Sequence, residues 1–199
     1  MKKENVVLMQ MARESLSGKW GPAIAAYLIY MLLLGAFPGT TKSFPLSGLV
    51  GLIIAGPLML GISIFSLSLA RNQEARLELI FSGFYNFKTA LVAYILILVF
   101  IILWLILLII PGIIAAISYS MTFYIIADDD SIAPMDAIDK SKNMMDGFKW
   151  KFFCLLLRFL GWALLCILTF GIGFLWLIPY VQVTIANFYD DVKANQVNG

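Results

Sequence analysis

Between Ala90 and Ile110 the chain carries no charged residue and is built almost wholly of Leu, Ile, Val and aromatic side chains. A run of that length has one economical use. A helix needs about 20 residues, rising 1.5 Å each, to cross a hydrocarbon core of ~30 Å. Charges crowd instead into short stretches such as Asp128 to Lys151. The whole chain is 61% hydrophobic and 13% charged, where a soluble domain is about 45–50% apolar and about 25% charged. A single soluble core cannot absorb so much apolar surface. The expected fold class is therefore all-α: a polytopic transmembrane helical bundle.

Six apolar runs are candidate spans: Trp20 to Phe37, Leu46 to Ala70, Thr89 to Ile110, Gly112 to Ala127, Phe152 to Thr169 and Gly173 to Phe188. The fourth and sixth are short. Pro111-Gly112 splits what would otherwise be one over-long helix, because proline removes a backbone donor and glycine permits a turn. Gly171-Ile172-Gly173 is read the same way. At the N-terminus, Lys2 and Lys3 are followed by Glu4, Arg13, Glu14 and Lys19, so no clean signal-peptide core forms and the first run is expected to be a retained span.

Basic residues set the orientation, since cytoplasmic loops carry the excess of Lys and Arg. Lys2, Lys3, Arg13 and Lys19 precede the first run. Arg71, Arg76 and Lys88 lie between the second and third, Lys140, Lys142, Lys149 and Lys151 between the fourth and fifth, and Lys193 after the last. The opposite side keeps only Lys42, in the loop Pro38 to Pro45. Six spans with both ends in the cytoplasm give that asymmetry.

Three junctions resemble one another: Leu16-Ser17-Gly18-Lys19-Trp20, Phe81-Ser82-Gly83-Phe84-Tyr85 and Met145-Asp146-Gly147-Phe148-Lys149-Trp150. Their glycines are 65 and 64 positions apart. The chain thus reads as a single membrane domain, 1–199, of three pseudo-repeats at about 1–70, 71–131 and 132–199. Each unit is a short amphipathic segment, a glycine, an aromatic residue and a helical hairpin. The amphipathic segments, Glu4 to Ser17, Asn72 to Ser82 and Ile132 to Asp146, each end at the glycine, as a helix C-terminus does. In the third, Ser131 is the expected N-cap, Asp136 pairs with Lys140, and Ile132, Met135, Ile138 and Met145 form an apolar stripe. Such segments either lie in the interface, with Trp20, Tyr85 and Trp150 as headgroup-level anchors, or are plain soluble loops.

Polar residues within the runs favour the returning helices: Ser63, Ser66 and Ser68 in the second, Ser118, Ser120 and Thr122 in the fourth, Tyr180, Gln182, Thr184 and Asn187 in the sixth. Hydroxyls and small residues commonly glue transmembrane helices together. The sharper reading is a cytoplasm-facing vestibule. Its candidate residues are Arg158, Ser63, Ser66, Ser118, Thr122, Tyr180, Gln182, Thr184 and Asn187. Arg158 lies roughly 12 Å past Trp150 by helical rise, and an ionisable residue at depth is a functional-site hypothesis. It could meet an anion, a lipid phosphate or a carboxylate such as Asp190, or simply snorkel to the headgroups.

Several chemistries are excluded or disfavoured. The chain has no histidine, which removes Ser-His and Cys-His nucleophile pairs and His-based metal sites. Gly61-Ile62-Ser63 looks like the nucleophile segment of intramembrane serine proteases, but has no base. No Asp or Glu sits deep in a run. Asp128, Asp129 and Asp130 form a solvated helix end more readily than a metal site, and no glycine-rich phosphate loop is present. The net charge of +2, without basic and aromatic residues interleaved, gives no nucleic-acid face. Cys154 and Cys166, on one helix, would lie roughly 18 Å apart, too far for a disulfide. No enzyme activity, cofactor or metal is expected.

Gly18-Lys19-Trp20-Gly21, Ala70-Arg71, Phe81-Ser82-Gly83-Phe84, Ile110-Pro111-Gly112-Ile113-Ile114, Tyr119-Ser120-Met121, Ser141-Lys142, Gly161-Trp162, Gly171-Ile172-Gly173, Pro179-Tyr180 and Phe188-Tyr189 cover nearly the whole chain. By these motifs it resembles a family of small bacterial multi-pass membrane proteins, common in Gram-positive species, known only as a domain of unknown function. The resemblance implies a bacterial plasma-membrane location and carries no catalytic residues. It also implies a small hydroxyl residue where Arg158 stands, so a role for that arginine would belong to this chain.

Two functions are expected. One is a non-enzymatic accessory or scaffold protein that senses lipid or docks a membrane or cytoplasmic protein partner through its interfacial helices and charged loop. The other is a small transporter or lipid- or anion-handling protein with Arg158 as the anion contact. Membrane lipid is a partner in both. On orientation, a cysteine placed at position 42 should be labelled from outside intact cells while one at 140 stays protected, and the reverse pattern overturns it.

Overall fold

A computed structural model describes residues 3–35, 47–74 and 76–197. The loop Pro38 to Pro45 with its Lys42, and the ends of the first two runs at Phe37 and Leu46, lie outside the described residues. Among those residues every regular element is a helix: α1 Asn5–Leu16, α2 Trp20–Gly35, α3 Ser47–Ala70, α4 Leu79–Ser82, α5 Phe87–Leu107, α6 Ile109–Tyr119, α7 Thr122–Asp128, α8 Pro134–Met144, α9 Lys149–Leu168 and α10 Phe174–Val197. In hydrocarbon only such a fold satisfies each backbone N–H and C=O from within its own segment.

Four helical stretches are long and apolar enough to cross a membrane: Gly48–Ala70, Phe87–Leu107, Ile109–Asp128 (α6 with α7) and Lys149–Leu168. The apolar helix Trp20–Gly35 is shorter. α10 is long but carries Asp190, Asp191 and Lys193. The bundle's outer surface is apolar. Of α5's twenty-one residues only Ala90 and Ala93 are buried, while Leu103, Ile106, Leu107 and Leu108 are more than half exposed. Water would penalise that face by about 25 cal/mol for each Å² of it. A lipid solvent does not, and the chain is a membrane protein.

α3 is the central element, packed against α1, α2, α4, α5, α7 and α10. Small residues allow this. A methyl on Gly61 would overlap the carbonyl of Ile80, and one on Gly83 would overlap the carbonyl of Pro57. A methyl on Gly56 would lie 2.7 Å from the carbonyl oxygen of Ala90. Backbone therefore lies directly on backbone from α3 to the segment that opens α5, the close approach that small residues permit in membrane bundles. Around this axis α1 packs on α10, α4 on α3, and α8 across α5, α6 and α7.

The three junction glycines turn out to do two jobs. Gly18 and Gly147 adopt φ of +76° and +71°, the left-handed conformation that closes a helix. Gly83 keeps φ at −61° and is needed for its missing side chain. Of the three amphipathic segments, the first and third form α1 and α8. In the second, 72–82, the four residues of α4 are the helical ones among the described residues.

Three local expectations need correction. The hairpin expected at Pro111-Gly112 turns at Leu108 instead, whose backbone is extended (φ −163°, ψ 142°). Pro111 sits in the first turn of α6, where a missing N–H costs nothing, and Gly112 lets the side chain of Leu105 pack against it. Ser131 does not cap α8: Ala133 holds the N-cap position ahead of Pro134, and Ser131 donates to Asp129 at 2.7 Å. No hydrogen bond or ion pair joins Asp136 to Lys140 among the described residues, and Met135 is 45% exposed. The buried face of α8 is Ala137, Ile138, Ser141 and Met144.

Gly61→Ala should force α3 and α4 apart and destabilise the bundle by about 1–3 kcal/mol, the usual overpacking cost. Gly161→Ala has open space around it and should be neutral. Thermal unfolding of the detergent-solubilised protein compares the two.

Candidate functional site

The C-terminal ends of α3, α7 and α10 meet in one ion cluster. Arg71 follows α3 directly. Its Nη1 and Nη2 donate to the two carboxylate oxygens of Asp128 at 2.7 and 3.0 Å. Its Nε and Nη2 donate to Asp190 at 3.2 and 2.8 Å. Lys193 Nζ and the hydroxyl of Tyr189 also donate to Asp128. A planar guanidinium suits this, because its five donors can hold two carboxylates at once. The hydrogen bonds to Asp128 and then Asp190 raise the guanidinium above its ordinary value, so it stays charged. Asp129, next in the chain, points elsewhere and accepts from Ser131, which holds its carboxyl below the usual range.

Asp191 organises a second seam, between the N-terminus, α9 and α10. Its side chain is 2% exposed and lies 2.8 Å from Lys151 Nζ. It also accepts from the backbone N–H of Lys3, while Asn5 Nδ2 donates to the carbonyl of Lys151 at 2.9 Å.

The break between α6 and α7 falls at Ser120-Met121, and α8 repairs it. Ser141, fully buried, donates from Oγ to the carbonyl of Ser118 at 2.7 Å and accepts from the N–H of Met121 at 3.2 Å. A hydroxyl is both donor and acceptor, so one side chain satisfies both backbone groups. The segments Tyr119-Ser120-Met121 and Ser141-Lys142 are thus two halves of one joint.

Above these seams a cavity of about 410 Å³ opens among α2, α3, α5, α6, α7, α9 and α10. Its walls are aliphatic and aromatic, with Tyr30, Tyr94, Tyr119 and Tyr124 set into them beside Ser63, Ser120 and Gln182. Tyr124 donates to Gln182 Oε1 at 3.2 Å. The hydroxyls of Tyr30, Tyr94 and Tyr119 have no hydrogen-bond partner among the described residues.

The nine vestibule candidates are dispersed. Ser63 and Gln182 line this cavity, although Ser63 returns its proton to the carbonyl of Met59. Ser118 and Thr184 bond to carbonyls four residues back in their own helices, and Thr122, opening α7, to the carbonyl of Tyr119 that closes α6. Ser66 bonds to Ile62 O and to Tyr27. Asn187 is buried with Nδ2 unpaired. Tyr180 and Arg158 face a different cavity, against α1, and Arg158 is exposed. Asp190, considered for Arg158, pairs with Arg71. Of the anchors, Tyr85 and Trp150 are 95% and 74% exposed, and Trp20 is half-buried.

The cluster around Arg71 and the cavity tyrosines went unread in the sequence, although both left a trace there. Arg71, Asp128 and Asp190 each stand within two residues of the end of an apolar run, and the four tyrosines sit inside such runs. Arg71→Leu should destabilise the bundle by about 1–3 kcal/mol, the usual value of charge-assisted hydrogen bonds. Asp190→Asn should cost less in that background than alone, as coupled partners do. A double-mutant cycle of thermal unfolding in detergent measures both.

No curated protein and no solved structure matches the chain. The family model described as a protein of unknown function (DUF975) matches residues 1–112 and 97–196. With both halves of the bundle matched, the chain belongs to that family.

Proposed function

We propose that this chain is a non-enzymatic, lipid-sensing protein of the bacterial plasma membrane, which takes up an amphiphile in the cavity between its helices. The observation that carries the reading is the cavity itself. Its apolar walls suit an acyl chain, and three tyrosine hydroxyls without partners among the described residues suit a polar, uncharged head. Its volume falls within the ~300–1,000 Å³ usual for ligand pockets. A hydroxyl in a dry environment without a partner is costly, and a ligand hydroxyl supplies that partner.

The proposal includes six spans, with α2, α3, α5, α6–α7, α9 and α10 paired as three hairpins and both ends cytoplasmic. Support comes from the order of packing. The short helix opening the first unit packs on the returning helix of the third, that of the second on the first, and that of the third on the second. A head-to-tail ring of three like units has this pattern. The charged ends of α3, α7 and α10 then gather on the side where the basic excess lies, as the positive-inside rule asks of a cytoplasmic face.

Docking of a protein partner is the alternative within the same class, and Lys140 and Lys142, both exposed on α8, are the residues it would use. The two are separated by binding of a fluorescent monoacylglycerol to the purified protein. Ala116→Trp, which fills the cavity, should abolish binding, and Tyr94→Phe should weaken it several-fold. Lys140→Glu/Lys142→Glu should leave it unchanged. Binding that survives Ala116→Trp overturns the cavity reading.

A further inference from the structure

The seam between α1, α9 and α10 holds two arginines that nothing in the fold uses. Arg13, on the outer face of α1, and Arg158, on α9, line one cavity of about 640 Å³ together with Met9, Gln10, Glu14, Ser17 and Tyr180. Neither guanidinium has a hydrogen-bond or ion-pair partner among the described residues. The nearby carboxylates are otherwise engaged or unpaired with them: Asp191 is held by Lys151 and Lys3, Asp190 by Arg71, and Glu14 accepts from Gln10. An adjoining cavity of about 370 Å³ shares Arg158 and adds Lys3, Glu4, Asn5 and Lys151. There the carboxamide oxygen of Asn5 is buried without a donor. Its amide nitrogen is already committed to the carbonyl of Lys151, so the oxygen remains free to accept.

From this geometry we propose that the seam is a binding site for an anionic phospholipid, with the phosphate between Arg13 and Arg158. Two guanidinium forks from different helices match a phosphate's oxygens far better than one lysine does. The neighbouring Asn5 oxygen is a further acceptor for a hydroxyl of the headgroup. Trp162 and Leu165, one and two turns on from Arg158 along the same face of α9, are each about half exposed, an apolar track for an acyl chain. Lipid is therefore favoured over a soluble anion. α1 packs on α10 and α3 and meets α9 through the Asn5–Lys151 hydrogen bond, so a lipid held here adds a second link between α1 and α9. Solitary snorkelling accounts for one arginine at the headgroups, but not for two from separate elements opening on one cavity beside an orphan acceptor. The site lies apart from the tyrosine-lined cavity and does not rest on the amphiphile reading.

The test is native mass spectrometry of the full chain released from nanodiscs of phosphatidylcholine containing a minor fraction of phosphatidylglycerol. The wild type should retain one phosphatidylglycerol. Arg158→Leu and Arg13→Gln should each lower that occupancy about tenfold, the effect of losing one charge-assisted contact, and Arg158→Lys should retain part of it. Lys88→Gln, an exposed lysine elsewhere, should behave as wild type, and millimolar inorganic phosphate should not displace the lipid. Equal losses in Lys88→Gln would show diffuse attraction to basic residues and overturn the site. Unchanged occupancy in both Arg158→Leu and Arg13→Gln would overturn it too, and displacement by inorganic phosphate would overturn the lipid as its occupant. Arg13 stands exposed on α1, so its variant keeps the test decisive if Arg158→Leu fails to fold.

Discussion

Hydrocarbon offers no hydrogen bonds, so every polar group that this chain carries into the bilayer must find its partner inside the protein. The structure follows from that demand. Ser63, Ser66, Ser118, Thr122 and Thr184 each donate to a carbonyl one turn back, so a hydroxyl in a span needs no neighbouring helix to be satisfied. Where the helix itself fails, at Ser120-Met121, a residue twenty positions on returns to mend it: Ser141 closes both the carbonyl of Ser118 and the N–H of Met121. Hydroxyls that gain no such partner are then conspicuous, and three of them share one cavity.

With hydrogen bonding settled locally, packing decides how the helices associate. Lipid tails are as apolar as leucine, so there is little hydrophobic drive between helices and close contact must supply the attraction. α3 meets this by removing side chains at Gly56 and Gly61 and accepting Gly83 from the opposite segment. Charge does the rest at one end. Arg71 holds Asp128 and Asp190 together, so the ends of α3 and α7 meet the C-terminal part of α10 at one point.

The helices were legible because their signal is local: an apolar run long enough to span, ended by charge, proline or glycine. Turns were less so. Pro111-Gly112 looked like the hairpin, yet a proline is equally at home in the first turn of a helix, and only the backbone at Leu108 distinguishes the two. The three junction glycines were visible as a pattern, but not that Gly83 differs from Gly18 and Gly147, because a residue chosen for its left-handed backbone and one chosen for its absent side chain are both written glycine. Arg158 was singled out for its depth, whereas which way it faces depends on the rotation of α9 about its axis.

From its sequence alone the chain was determined to be helical and membrane-embedded, with every charge but Arg158 outside the apolar runs, because those properties are sums over neighbouring residues. Which charges meet, which hydroxyls stay unpartnered and which arginines share a cavity were decided by tertiary structure. Its contacts join Arg71 to Asp190 and Ser141 to Ser118 and set Arg13 and Arg158 on one cavity, residues separated by tens of positions, and their meeting depends on helix rotation and crossing that no local pattern encodes.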